Sequence, residues 1–203
     1  MVPQRYRDLL QLNFAIPNAP LSARLRSETA LAHHQLEDAV GFDLHHPTLA
    51  QATDLLERFF GVIAVLEPAL TRQWPALMAG REKLGLLQAD LARLGHAPQA
   101  IAALPRAHDA FELAITPAAA MGALYVSEGS TLGGKLISKA LRRLPDWPIS
   151  GPSYFDPYEE RTGAMWNQFR TALDALPPGE HDGVIAGANS AFRFLHTWLV
   201  HVD

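Results

Sequence analysis

LYVSEGSTLGGKL, residues 124–136, puts glycines into a stretch whose other residues read as an apolar helix. A glycine inside a helix costs about 1 kcal/mol relative to alanine. Gly122, Gly129, Gly133 and Gly134 fall in one such segment, so a compensating use is expected. At about 100° per residue, Gly122, Val126, Gly129 and Gly133 share a narrow sector of one helix face. That sector reads as a bare backbone groove, open either to a flat ligand or to a second helix through a small-xxx-small contact.

Around this segment the chain reads as helical throughout. Ser22 is placed to cap a helix over residues 22–40, with Gly41 as its stop. Leu25, Thr29, Ala32, Leu36 and Val40 form the apolar stripe of that helix. A second helix starts at Thr48 and runs to about residue 74; it is apolar nearly all round and therefore central. A third covers 80–94 and ends at Gly95, and short helices follow at 98–103 and 106–115. Thr116-Pro117 opens the glycine-rich helix, with proline in the first turn where its missing N–H is harmless. Four prolines mark a loop over 145–157, a helix follows over 157–176, Pro177-Pro178-Gly179 breaks it, and a last helix spans 181–201. No segment alternates as a strand does. The fold class is all-α: seven or eight helices in a single helical domain over 21–203, behind a loose N-terminal arm over 1–20.

Composition narrows the function classes. The chain has 203 residues, 48% of them hydrophobic and 19% charged, which supports a sizeable core. A net charge of −4 offers no global basic field for nucleic acid, so any anionic ligand needs local cations. The absence of cysteine excludes disulfides, thiolate metal sites and a cysteine nucleophile, and fits a reducing cytoplasm. The N-terminus has no cationic region followed by an apolar run, and every apolar stretch ends well short of the ~20 residues of a membrane span. A cytoplasmic protein without membrane insertion is expected.

The first helix carries the chemistry. His33 lies at the edge of its buried face and His34 on the solvent side, and Glu37 is one turn beyond His33. A carboxylate on the second ring nitrogen fixes an imidazole tautomer and raises its basicity as a ligand. The pair therefore suits a single imidazole ligand to a metal; an ordinary i,i+4 contact at the helix boundary is the alternative. No Glu-x-x-His motif is present for a di-iron bundle, no P-loop occurs, and His45-His46 before Pro47 offer only a weak zinc candidate.

The segment LRSETALAHHQLE, residues 25–37, resembles the first helix of heme oxygenases, in which a histidine four residues after a threonine is the axial ligand; here those positions are Thr29 and His33. YVSEGSTLGGKL, residues 125–136, resembles the kinked distal helix of the bacterial, biliverdin-producing branch of that family. Chain length and helix order fit as well, over about residues 20–200. The resemblance implies oxidative cleavage of heme b, at once cofactor and substrate, to biliverdin, carbon monoxide and ferrous iron. Dioxygen and an external electron donor, a reductase or ferredoxin, would be needed. A bacterial phytochrome is an implied acceptor of the product. A non-catalytic heme carrier or sensor on the same fold, and a helical interaction protein without heme, are the alternatives.

By the same resemblance His33 binds the iron with Glu37 behind it, and Gly129, Ser130 and Gly133 form the catalytic distal wall. Arg26, Tyr125 and Arg170 contact the propionates, and Phe192 in SAFRFL walls the pocket. Lys135, Lys139, Arg142 and Arg143 offer a docking face for the donor. An aspartate that follows the first distal glycine in animal-type members is replaced by Ser130, and Glu128 on the other side of Gly129 points away from the glycine face.

Overall fold

The computed structural model describes residues 19–148 and 151–201, so the first eighteen residues of the expected arm lie outside it. Among the described residues there is no strand. The described residues form nine α-helices: α1 Leu21–Glu28, α2 Ala30–Val40, α3 Leu49–Gln73, α4 Pro75–Met78, α5 Leu84–Arg93, α6 Pro98–Ala103, α7 Pro117–Leu141, α8 Thr162–Asp174 and α9 His181–His201. Short 3-10 turns at His108–Ala114, Glu159–Arg161 and Pro178–Glu180 link them.

Three helix ends show clear local chemistry. Thr48 and Gln51 form a capping box at the start of α3. The Thr116 hydroxyl accepts the N–H of Ala119 at the start of α7. Gly41 ends α2 in the left-handed region, at φ 55°, where glycine carries no Cβ penalty. Five expectations need correction. The helix over 22–40 is divided at Thr29, whose hydroxyl bonds back to the Leu25 carbonyl at 2.7 Å. Ser22 is inside α1 and caps nothing; its N–H and hydroxyl both bond the Asp174 carboxylate of α8. The helices expected from residues 80 and 157 begin at Leu84 and Thr162, and the 106–115 helix is 3-10 in form.

The core is built on α7, which packs most extensively on α9 and also on α3 and α8. Small residues on both helices make the α7–α9 crossing close. A Cβ on Gly122 would collide with the Val184 carbonyl and the Ala188 amide of α9, and one on Gly187 would meet the Ala119 backbone. Gly134 is equally tight against the Phe155 carbonyl in the loop before α8. Only glycine permits such approach of backbone to backbone.

The opposite side of α7 carries a buried carboxylate. Glu128 is 1% exposed, on the stripe it shares with Met121, Leu124 and Thr131. Its oxygens bond the Arg81 guanidinium, the Lys83 ammonium at 2.6 Å and the Tyr158 hydroxyl at 2.9 Å. Arg81 also donates to the Met165 carbonyl of α8 at 3.1 Å. Glu67 of α3 accepts the N–H groups of Lys83 and Leu84, so an acid from a distant helix caps the positive end of α5. Burial and the neighbouring Glu128 raise the Tyr158 pKa well above its ordinary value, which keeps the phenol a hydrogen-bond donor.

Two stability outcomes follow. Gly122→Ala forces α7 and α9 apart and costs about 1–3 kcal/mol, whereas Gly133→Ala, where an added Cβ meets nothing, gains helix propensity and is neutral or stabilising. Glu128→Ala strands two buried cations and costs about 3–5 kcal/mol; adding Arg81→Met and Lys83→Met to it recovers most of that loss. Urea unfolding of the heme-free protein measures both.

Candidate functional site

Helix α2 has no fully buried residue. It packs one side on α9 and leaves the other open. His33 and His34 are 50% and 54% exposed in their side chains, so the two are almost equally open to solvent rather than divided as the wheel expects. Both histidines face the same carboxylate: Glu37 Oε2 lies 3.4 Å from Nδ1 of His33 and 3.6 Å from Nδ1 of His34. With Nδ1 turned to Glu37, Nε2 is the nitrogen of His33 left for an iron. Phe192 of α9, nearly fully buried, meets the His33 ring edge-on with centroids 5.5 Å apart, which fixes the tilt of the imidazole.

A chain of contacts joins His33 to the glycine helix. The His33 amide donates to the Thr29 carbonyl. Thr29 and Arg26 lie beside the Tyr125 hydroxyl, where they oppose the upward pKa shift that burial gives the phenol. Tyr125 packs on Trp166 of α8 at 5.8 Å, and the Trp166 ring lies 3.8 Å from where a Cβ on Gly129 would stand. Trp166 is the site residue that sequence reasoning missed. Its signal was position: it precedes Arg170 by one turn, on the helix face already singled out.

The four glycines separate into two kinds. Gly122 and Gly134 are filled by protein backbone, so Gly122 does not belong to a bare groove as expected. Gly129 meets only the Trp166 ring at ordinary contact distance, and Gly133 meets nothing within 4 Å. Gly129-x3-Gly133 therefore meets no backbone of another helix among the described residues: Gly129 touches only the Trp166 side chain of α8, and the backbone at Gly133 is uncovered. The expected kink does not interrupt α7, which is continuous from Pro117 to Leu141. Ser130 is exposed and its hydroxyl donates back to the Ser127 carbonyl at 2.9 Å.

Arg26 and Arg170 are exposed and have no carboxylate partner among the described residues. Beyond the glycines, Lys135 is held by the Glu159 carbonyl and Arg142 by Ser138, while Lys139 and Arg143 are exposed. A groove of about 590 Å³ between α2 and α9, with Ala32, Phe192 and His196 in its lining, adjoins this region without including His33. An imidazole backed by a carboxylate, a glycine strip that a Cβ would obstruct and free flanking arginines fit heme as a flat, apolar, dianionic ligand.

Comparison with known proteins agrees. The family profile described as heme oxygenase matches residues 19–201. A heme oxygenase from Xanthomonas campestris pv. campestris is 30% identical over 152 residues, covering 71% of this chain and 86% of the relative. Heme oxygenase PigA of Pseudomonas aeruginosa is 32% identical over 128 residues, 62% of this chain and 61% of the relative. The solved heme oxygenase from Leptospira interrogans superposes with a TM-score of 0.76 at 20% identity, covering 91% of this chain and 100% of that one. Heme oxygenase-1 from the cyanobacterium Synechocystis, solved in complex with heme, gives 0.71 at 16% identity over 89% of this chain and 91% of that one. The last two establish the fold, and the family match over almost the whole described chain establishes more: this chain belongs to the heme oxygenase family, the all-α enzymes that degrade heme to biliverdin.

Proposed function

We propose that His33 is the axial ligand of the heme this enzyme degrades, and that Gly129 and Gly133 form the wall across the plate from it. The observation that carries this reading is the pair of open glycines. They lie one turn apart in a helix that otherwise packs tightly, and they connect through Trp166, Tyr125 and Thr29 to an exposed imidazole with a carboxylate at its Nδ1. Family membership favours turnover over the non-catalytic carrier or sensor, and the unfilled glycine strip argues against a purely structural helix contact.

Bound heme supplies the iron that activates dioxygen and the ring that is opened to biliverdin, with carbon monoxide and ferrous iron as the other products. The chain does the positioning. Glu37 favours a proton on Nδ1 of His33 and presents Nε2; Phe192 holds the ring edge-on. Bare backbone at Gly129 and Gly133 allows the macrocycle to approach α7 within van der Waals distance, which excludes bulk water from that face. Arg26, Arg170 and the Tyr125 hydroxyl take the propionates and thereby set the rotation of the plate. Ser130 contributes through its backbone, since its hydroxyl is committed to Ser127. Glu128 is bound up with Arg81 and Lys83, so proton delivery falls to water held near the glycines.

An external donor, a reductase or ferredoxin, docks on the face of Lys139 and Arg143 in this reading, and a bacterial phytochrome is the acceptor proposed for biliverdin. Among the described residues no single helix is long and apolar enough to cross a membrane. A cytoplasmic place goes with the cysteine-free composition. The arm over 1–20 and the domain over 21–203 remain the proposed division of the chain.

Hemin titration gives the wild type a Soret band that shifts in His33→Ala. That variant should lose biliverdin formation under oxygen and reductant, and added imidazole should restore part of it. An unchanged spectrum in His33→Ala would remove the axial assignment. Gly133→Leu leaves the circular dichroism spectrum intact and weakens hemin binding by about 10-fold or more, the scale of a steric clash worth 1.4 kcal/mol. Arg26→Ala and Arg170→Ala alter the ratio of biliverdin isomers in chromatography of the product; identical isomer patterns would place the propionates elsewhere.

A further inference from the structure

Glu37 faces two histidines, and axial ligation uses only one of them. Oε2 of Glu37 stands 3.4 Å from Nδ1 of His33 and 3.6 Å from Nδ1 of His34, and one donor atom from each of the three residues fits within 4.8 Å. A tetrahedral ion with bonds of about 2.1 Å to imidazole and carboxylate holds its ligand atoms about 3.4 Å apart. Two of the three separations therefore already match an ion that bridges the carboxylate and both rings. The set is two nitrogens and one oxygen on a single turn of helix, half-exposed, with room for water at the remaining positions. Two imidazoles and a carboxylate suit zinc, cobalt(II) and ferrous iron over magnesium or calcium.

We infer that His33, His34 and Glu37 form a second metal site, used when no porphyrin is bound, whose ligand class is a divalent first-row transition ion. The chemistry makes it exclusive of heme. A metal on Nδ1 of His33 displaces the proton that Glu37 favours there, and an imidazole with metal on both nitrogens would have to become an imidazolate. Ring opening frees a ferrous ion from its four porphyrin nitrogens; on leaving Nε2 of His33 the ion passes to the other side of the ring, where Nδ1 of His33, a ring nitrogen of His34 and Glu37 supply two nitrogens and one oxygen. The site is a landing place for the ferrous product, and this last role rests on the axial assignment of His33. Nothing is oxidised or reduced: the ion exchanges porphyrin nitrogens for side-chain nitrogen and oxygen.

Heme-free protein titrated with cobalt(II) chloride, followed by the visible ligand-field bands, tests the site. One ion per chain is expected. His34→Ala weakens cobalt by about 10-fold or more and leaves the hemin Soret band as in the wild type. His46→Ala, which removes the exposed His46–Asp43 pair at 3.3 Å, leaves cobalt binding as it was. Cobalt slows hemin uptake in the wild type and not in His34→Ala. In turnover with a colorimetric ferrous chelator present, His34→Ala yields its iron to the chelator faster than the wild type. Equal cobalt affinity in His34→Ala, or loss of binding in His46→Ala, overturns the metal site. If cobalt binds as expected while His33→Ala leaves hemin binding unchanged, the site stands and the axial assignment, with the landing role, falls.

Discussion

Glu128 brings a carboxylate into the interior on the side of α7 turned away from the open glycines, and much of the site's geometry depends on how it is held there. Its partners come from two other parts of the chain: Arg81 and Lys83 from the segment before α5, Tyr158 from the loop before α8. An unpaired charge at that depth would cost several kcal/mol, so α7 has one rotational setting in which the carboxylate is satisfied. Rotation by a single residue would move Glu128 off its cations and carry Gly129 and Gly133 out of the cleft. The Arg81 contact to the Met165 carbonyl ties α8 to the same point, and α8 brings Trp166 against Gly129. The ionic cluster and the ligand face are two sides of one constraint.

The glycines show how a single residue type serves two opposed needs in one helix. At Gly122 and Gly134 the missing side chain lets protein backbone come close, and the gain is a tightly packed core. At Gly129 the same absence leaves room for the Trp166 ring alone, and at Gly133 it leaves backbone uncovered, which costs helix propensity with no packing in return. Uncovered backbone of this kind is repaid when a ligand lies on it. The first pair lies where α9 and the loop before α8 reach α7, and the second pair lies between them along the same helix, under α8 and open solvent.

Helix α2 follows a different logic. It is a surface element, attached to α9 through contacts such as that of His33 with Phe192. Its lack of buried residues leaves the imidazole accessible, and the break at Thr29 separates it from the firmly anchored α1, which Asp174 holds through Ser22. Helix α7 is thus packed by several neighbours, whereas α2 has no buried residue and is held mainly by α9.

The helical pattern, the ends at Thr48, Thr116 and Gly41, and the pairing of His33 with Glu37 were legible in the chain, because caps, breakers and i,i+4 contacts act within a turn or two. The match of two short segments was enough to point to the family. Glu128 was legible as turned from the glycine face, though not as the centre of an ionic cluster, since Arg81 and Lys83 are more than forty residues away. Gly122 could not be told from Gly133 for the same reason: what fills the space beside a glycine is Val184 or Phe155, or nothing, and none of these is near in sequence. Ser22 read as a cap because its partner, Asp174, comes from a distant helix. Sequence alone determined which segments are helices and that Glu37 stands beside His33, because those interactions are local. The tertiary structure decided which glycines are packed and which are exposed, because that depends on which distant backbone arrives at each position.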